Sequence, residues 1–144
     1  MIFKQTMQYR ISEMNRPSQK LLHILCTPFI YMLIIPLVFF DILIEIYQRV
    51  CFPLCELKVV NRWDYIRIDR HKLSYLNWLE KINCAYCGYA NGWFNYAKTI
   101  ASETEAYWCG ITHAKYKRFK EPEHHKTFLK YNDEEAFKKF AKKL

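Results

Sequence analysis

Two cysteines separated by two residues, Cys84 and Cys87, form the most recognisable chemical motif of the sequence. They lie in the segment CAYCGYANG, and a CxxC pair followed by glycine is typical of a tight turn that points both sulfur atoms at one metal ion. Cys109 and His113 follow, four residues apart, a spacing that places two side chains on one face of a helix. The four residues give the pattern C-x2-C-x21-C-x3-H. Three thiolates and one imidazole form a closed tetrahedral set that suits zinc, with iron as the alternative.

Four further side chains are weaker candidates for metal ligands. Glu105 lies four residues before Cys109, on the same face of the predicted helix. His71 lies close to a carboxylate in IRIDRHKL, and a neighbouring carboxylate can orient an imidazole ligand. His124 and His125 lie in the acidic segment EPEHHK. For the histidines, an exposed position without a ligand is the simpler interpretation.

The six cysteines also bear on the cellular compartment. An even number would suit disulfides in an oxidising compartment. However, Cys26 lies inside an apolar segment, and the close spacing of Cys84 and Cys87 favours a metal. We therefore expect reduced thiols and a polar domain on the cytoplasmic face of the cell membrane. A redox-active dithiol and purely structural cysteines remain open alternatives.

Helices are expected to position these residues. The chain contains 11 Tyr, 10 Phe and 4 Trp but only 3 Gly and 5 Pro, which favours helix over disorder or a loop-rich sheet protein. Apolar residues at three-residue steps predict a helix that is capped by Asp69 or Ser74, runs through Ile82 and ends at Asn83. The apolar stripe from Trp93 to Tyr107 predicts a second helix. The tight turn at residues 84–92 would join the two.

An uncharged apolar segment precedes this domain. Leu21–Phe40 carries no formal charge over 20 residues, and a helix of that length matches the hydrocarbon core of a bilayer, which is about 30 Å thick. A cleaved signal peptide is disfavoured because the apolar run is too long and no small-residue cleavage site follows it. Pro28 and Pro36 also permit a re-entrant hairpin, and basic residues on both flanks leave the orientation undetermined. The sequence therefore predicts a membrane helix or a re-entrant hairpin.

The C-terminal segment is basic and amphipathic. Residues 114–144 carry ten Lys and Arg against five Asp and Glu. Asn132 with Glu135 has the form of a capping box for a helix with Phe137 and Phe140 on its apolar side. Such a helix can dock on the domain or lie on anionic headgroups of a lipid bilayer. Nucleic acid is disfavoured as a partner because no known binding module is visible.

The sequence thus predicts a mainly α protein in four parts. A domain of this size buries a limited core, so we expect it to be stabilised by a metal, by the membrane, by a protein partner or by a second copy of itself. The parts are a basic N-terminal flank (1–20), a membrane anchor that continues into an interfacial amphipathic helix (21–50), a small helical Cys/His domain (51–125) and a basic amphipathic C-terminal helix (126–144).

The segments IRIDRHKLSYLN, INCAYCGYANG and EAYWCGITH, with the motifs IDRHKL, CAYCGYANG and YWCGITH, resemble a family of small, uncharacterised bacterial membrane proteins. The resemblance covers roughly residues 20–125. It implies a single anchored domain with Cys84, Cys87 and Cys109 in the same places. No established activity comes with that family, so the resemblance implies an architecture and not a function.

Three functions are compatible with these patterns. The sequence favours a non-catalytic, membrane-anchored metal-binding protein with a structural or interaction role, because a Cys3His site leaves no open coordination position. The first alternative is a membrane metalloenzyme or redox protein that uses iron with Cys, His and Glu ligands. The second is metal handling or sensing. The sequence contains no Gly-rich phosphate loop, serine-histidine-acid set or paired-carboxylate motif that would indicate an enzyme.

Overall fold

The computed structural model describes residues 17–142, in which the chain is mainly helical as predicted. Most of the predicted N-terminal flank, residues 1–16, and the last two residues lie outside the described range. The α-helices are α1 (Pro17–Met32), α2 (Ile34–Leu54), α3 (Trp78–Trp108) and α4 (Glu134–Ala141). Short 3₁₀ helices span Arg62–Asp64, Arg70–Lys72 and Glu123–Thr127. Among the described residues, β pairing is confined to one parallel bridge between Ile111 and Leu129.

The apolar segment is helical on both sides of a single turn residue, Leu33. Helical hydrogen bonding continues across this turn, since the Leu37 N–H donates to the Leu33 carbonyl at 3.2 Å. Pro36 lies in the first turn of α2, where a missing N–H leaves no intrahelical bond unmade. Within the described residues, Ile24–Leu54 is the one helical run that is long and apolar enough to cross a membrane. This continuity favours the membrane helix over the re-entrant hairpin.

By its internal contacts the chain divides into two units, one ending at Leu43 and one comprising Ile44–Leu144. In the first unit, most of the large apolar side chains are exposed on the outside of the helices, and Leu37 is the buried exception among the described residues. Phe29, Ile35 and Phe39 are all exposed. A helix with an apolar exterior and satisfied backbone bonds has the surface that lipid chains cover.

The second unit is organised around α3, which is 31 residues long. Its N-terminus carries a capping box, in which the Asn77 side chain accepts from the Glu80 N–H at 2.9 Å and the Glu80 carboxylate accepts from the Asn77 N–H at 2.8 Å. At the other end, the amides of Cys109 and Gly110 both donate to the Glu105 carbonyl. Gly110 has φ +58, a left-handed conformation that ends the helix.

The two glycines of CAYCGYANG lie inside α3 and permit a close backbone approach. A Cβ atom on Gly88 would lie 2.5 Å from the Arg67 carbonyl oxygen, and one on Gly92 would lie 2.6 Å from the Tyr65 carbonyl oxygen. These separations are too short for non-bonded atoms, so glycine is required at both positions. The predicted tight turn and the predicted helix end at Asn83 are therefore wrong. The segment is helix, and its glycine side packs on the irregular segment 65–67.

A buried polar network joins the second half of α2 to α3. The Gln48 side chain donates to the Tyr96 hydroxyl and to the Val60 carbonyl, and it accepts from the Val60 N–H. The hydroxyl oxygens of Tyr47 and Thr104 lie 2.9 Å apart, about two helical turns beyond Tyr96 along α3. The buried apolar side chains of this unit are Phe52, Ile66, Ala90, Trp93, Tyr96 and Ile100. The network fixes the position of α3 relative to the end of α2.

Candidate metal centre

The predicted Cys3His set is not brought together. Cys84 and Cys87 lie in the first third of α3, whereas Cys109 lies at its C-cap. The 22 residues from Cys87 to Cys109 correspond to about 33 Å along a helix, while zinc–sulfur bonds are about 2.3 Å long. One ion cannot bind both ends of α3. His113 follows the helix end set by Gly110, and the six cysteines are free.

The structure instead groups three of the weaker candidates, Glu105, His124 and His125. One ligand atom from each lies within 4.8 Å of the others. His124 Nε2 is 2.8 Å from one oxygen of the Glu105 carboxylate, and His125 Nε2 is 3.1 Å from the other. Because an ionised carboxylate only accepts hydrogen bonds, both imidazole N–H groups donate to it. We call these three residues the Glu-His-His cluster.

A short stretch of β pairing returns the chain to the end of α3. The Leu129 N–H donates to the Gly110 carbonyl, and the Thr112 N–H donates to the Leu129 carbonyl, both at 2.8 Å. The Tyr131 N–H donates to the Thr112 hydroxyl at 2.9 Å. The 3₁₀ helix Glu123–Thr127, called here the histidine turn, lies between these contacts in the sequence. The pairing thereby places both histidines beside the last turn of α3.

Ring packing fixes the orientation of His125. Its side chain is fully buried, and its ring stacks on Phe128 with centroids 4.8 Å apart. The ring of His124 meets it edge-on at 4.6 Å. Nδ1 of His125 has no hydrogen-bond partner in the described chain, so the polar contact of this ring is the one with Glu105. Glu105 and His124 keep 31% and 24% of their side-chain surface exposed, which leaves one side of the cluster open to solvent.

His113 lies at the open edge of the cluster. Its Nε2 atom is 3.8 Å from the Glu105 carboxylate, and its side chain is 61% exposed. Its ring centroid lies 5.4 Å from that of His125. The separation from Glu105 is too long for a hydrogen bond. In a tetrahedral zinc site with bonds of about 2.0 Å, ligand atoms are about 3.3 Å apart. The distances from the Glu105 carboxylate oxygens to Nε2 of His124 and His125, 2.8 and 3.1 Å, are shorter than that value. The distance to Nε2 of His113, 3.8 Å, is longer.

The histidines also set the ionisation of the carboxylate. The hydrogen bond from His124 lowers the pKa of Glu105 below its ordinary value. Partial burial opposes this effect, while the hydrogen bond and charge of His125 act in the same direction as His124. Glu105 is therefore a carboxylate at neutral pH. That is the form that accepts hydrogen bonds and binds cations.

The fourth weaker candidate, His71, lies apart from the cluster. It is exposed in the 3₁₀ helix Arg70–Lys72, which packs against α3. Sequence patterns could not group the other three because the grouping depends on the bridge between Ile111 and Leu129. The signal available in the sequence is a histidine pair after a proline, together with a carboxylate on the polar side of a helix.

Comparison with known protein families, with curated proteins and with solved structures gave no match.

Proposed function

We propose that this chain is a membrane-anchored metal-binding protein and that Glu105, His124 and His125 hold a zinc ion. The proposal is based on one observation: the Glu105 carboxylate contacts the imidazoles of His124 and His125, which lie 19 and 20 residues further along the chain. Two imidazoles and a carboxylate are ligand types that zinc prefers. The apolar run Ile24–Leu54 supports the membrane anchor. Cys26, which lies inside the apolar segment, is the sequence observation that favours reduced thiols and hence a cytoplasmic location for the polar domain.

In this proposal the ion has a structural role. The histidine turn is held at the end of α3 by the Glu105 contacts and by the short pairing at Ile111 and Leu129. A metal ion would replace the two hydrogen bonds of Glu105 by coordinate bonds. Because the ligands are far apart in the unfolded chain, the free energy of metal binding would also stabilise the fold. The folded domain would then present its surface to a partner protein or to a second copy of itself.

Metal content and metal-dependent stability test this proposal. Full-length protein purified in detergent without chelators is expected to contain zinc at one ion per chain. Metal-free protein should unfold at a lower temperature and regain its stability when zinc is added, as expected for a ligand that binds only the folded state. Protein that contains no metal and is not stabilised by zinc would contradict the proposal.

The open side of the cluster favours a second candidate, a membrane metalloenzyme. Three protein ligands and an open position are typical of catalytic zinc, and two histidines with one carboxylate also bind non-haem iron. His113 distinguishes the two functions. If it is the fourth ligand of a structural site, His113→Ala should weaken zinc binding by at least about tenfold. If metal binding is unchanged and the purified protein contains iron, the metalloenzyme is favoured.

A further inference from the structure

The loop after His113 is strongly basic. Residues 114–120, called here the basic loop, have the sequence AKYKRFK, with four cations and no carboxylate. The cations are Lys115, Lys117, Arg118 and Lys120, and all four are exposed. None of them forms an ion pair with another residue of the described chain. The loop therefore presents uncompensated positive charge to its surroundings.

Two aromatic side chains alternate with these cations and are also exposed. Tyr116 is 72% exposed and Phe119 is 43% exposed. Aromatic rings are favoured at the headgroup level of a bilayer, and basic side chains beside them reach the lipid phosphates. Exposed rings between exposed cations are thus the composition of an interfacial membrane contact.

The base of the loop is held by the folded domain. The Phe119 N–H donates to the Tyr116 carbonyl at 3.1 Å, which closes a turn. The Phe119 ring packs edge-on against His113, with centroids 5.5 Å apart. The bridge between Ile111 and Leu129 joins the segment before the basic loop to the segment after the histidine turn. The cations are therefore displayed from a defined position.

The loop adjoins the part of the folded domain in which α3 contacts the second half of α2. It follows the C-terminal end of α3, and Thr104 near that end contacts Tyr47 of α2 at 2.9 Å. Tyr47 lies in the part of α2 that follows the apolar segment in the sequence. The opposite end of α3, at Trp78, is about 46 Å away along a helix of 31 residues. The basic loop is thus at the end of α3 that lies beside α2.

We propose that the basic loop binds the headgroups of anionic phospholipids in the membrane that holds α2. This inference rests on the proposed membrane attachment and not on the proposed metal site. Lipid is favoured over nucleic acid because the same chain contains a helical run that is apolar enough to cross a bilayer, and because exposed aromatic rings lie between the cations of the loop.

Hydrogen–deuterium exchange on the full-length chain tests the inference. The protein is placed in nanodiscs of phosphatidylcholine alone, or of an equal mixture of phosphatidylcholine and phosphatidylglycerol, and amide exchange is followed on the millisecond timescale. Amides of residues 114–120 are expected to exchange several-fold more slowly in the anionic discs. High salt should remove this difference because it screens exposed charges. Protein that does not remain with either kind of disc would overturn the membrane attachment, and the inference with it.

A matched pair of variants distinguishes lipid contacts of the basic loop from those of the lysines of α4 and its C-cap. Replacement of Lys115, Lys117, Arg118 and Lys120 by Gln should abolish the slow exchange. Replacement of Lys138, Lys139 and Lys142 by Gln should leave it unchanged, and circular dichroism verifies that both variants fold. Equal exchange of the wild-type loop in the two lipids would overturn the inference. So would protection that requires added RNA, or protection that survives in the loop variant.

Discussion

Glu105 and His125 lie in hydrogen-bonding contact at 3.1 Å, although 20 residues separate them in the sequence. Glu105 belongs to the last turn of α3, and His125 is buried in the histidine turn against Phe128. A partly exposed carboxylate thus meets a fully buried imidazole. The same carboxylate also accepts from His124. This convergence on one side chain defines the candidate metal centre.

Removal of the CxxC thiols should leave metal binding unchanged. Cys84 and Cys87 lie in the first third of α3, and Glu105 lies in its last turn. The double variant Cys84→Ser with Cys87→Ser is therefore expected to retain the zinc content of the wild type, measured by plasma mass spectrometry on protein in detergent. Cys109→Ser should behave in the same way. Loss of the metal in the double variant would show that the thiols hold it.

Gly92→Ala should destabilise the domain. The added Cβ would lie 2.6 Å from the Tyr65 carbonyl oxygen and 2.8 Å from the Ile66 Cα. Overpacking of this kind costs about 1–3 kcal/mol, and the higher helix propensity of alanine offsets about 1 kcal/mol of it. The free energy of unfolding, from guanidinium titration in detergent, is the measurement. Asn91→Ala, an exposed neighbour, should change it by less than about 0.5 kcal/mol. Equal values for the two variants would argue against the close approach.

Gln48 and Tyr96 should be energetically coupled. The Gln48 side chain donates to the Tyr96 hydroxyl, and both residues are buried. Gln48→Leu removes this bond and the pair of bonds to Val60, so it should destabilise the protein by about 1–3 kcal/mol. Combined with Tyr96→Phe in a double-mutant cycle, it should show a coupling of about 0.5 kcal/mol or more. Strictly additive effects would mean that the bond contributes nothing to stability.

The stability of the metal-free protein should depend on Glu105 at acid pH. Its pKa is lower in the folded state than the ordinary value of 4.5, chiefly because of the hydrogen bond from His124. A lowered pKa contributes stability above the ordinary value, and this contribution is lost as the pH falls through the folded-state pKa. The stability advantage of wild type over Glu105→Gln should therefore shrink below pH 4.5, as followed by denaturant titration across a pH series. An advantage that grows as the pH falls would contradict this prediction.

Local sequence was sufficient to predict much of the helical architecture. Composition and the uncharged run Leu21–Phe40 predicted a mainly α chain with an apolar helix, and the stripe from Trp93 to Tyr107 predicted the second half of α3. Helix starts were less accurate. The cap of α3 is Asn77 rather than Asp69 or Ser74. The cap of α4 is Asp133 rather than Asn132, because Asn132 takes a positive φ of 61. The residue at which each helix starts depends on the tertiary contacts of the chain before it.

The tight turn predicted for CAYCGYANG was wrong because two different structures share the pattern of this segment. A metal-binding turn and a helix in close backbone contact both require small residues at Gly88 and Gly92. Which structure forms depends on the packing of residues 65–67, which lie 21 to 27 positions earlier in the chain than the glycines they contact. The Glu-His-His cluster has the same dependence on distant contacts, since the bridge between Ile111 and Leu129 brings it together. Single-sequence patterns carry no direct record of such pairings.

Zinc content across a matched set of variants tests the central claim most directly. Full-length wild type in detergent is expected to contain one zinc per chain. Glu105→Gln, His124→Ala and His125→Ala should each lose it, whereas Glu103→Gln and His71→Ala, which alter the same residue types outside the cluster, should retain it. His124 is partly exposed, so His124→Ala should remain folded by circular dichroism even if the buried His125 is needed for folding. Wild-type protein without metal, or cluster variants that keep their metal, would contradict the proposed centre.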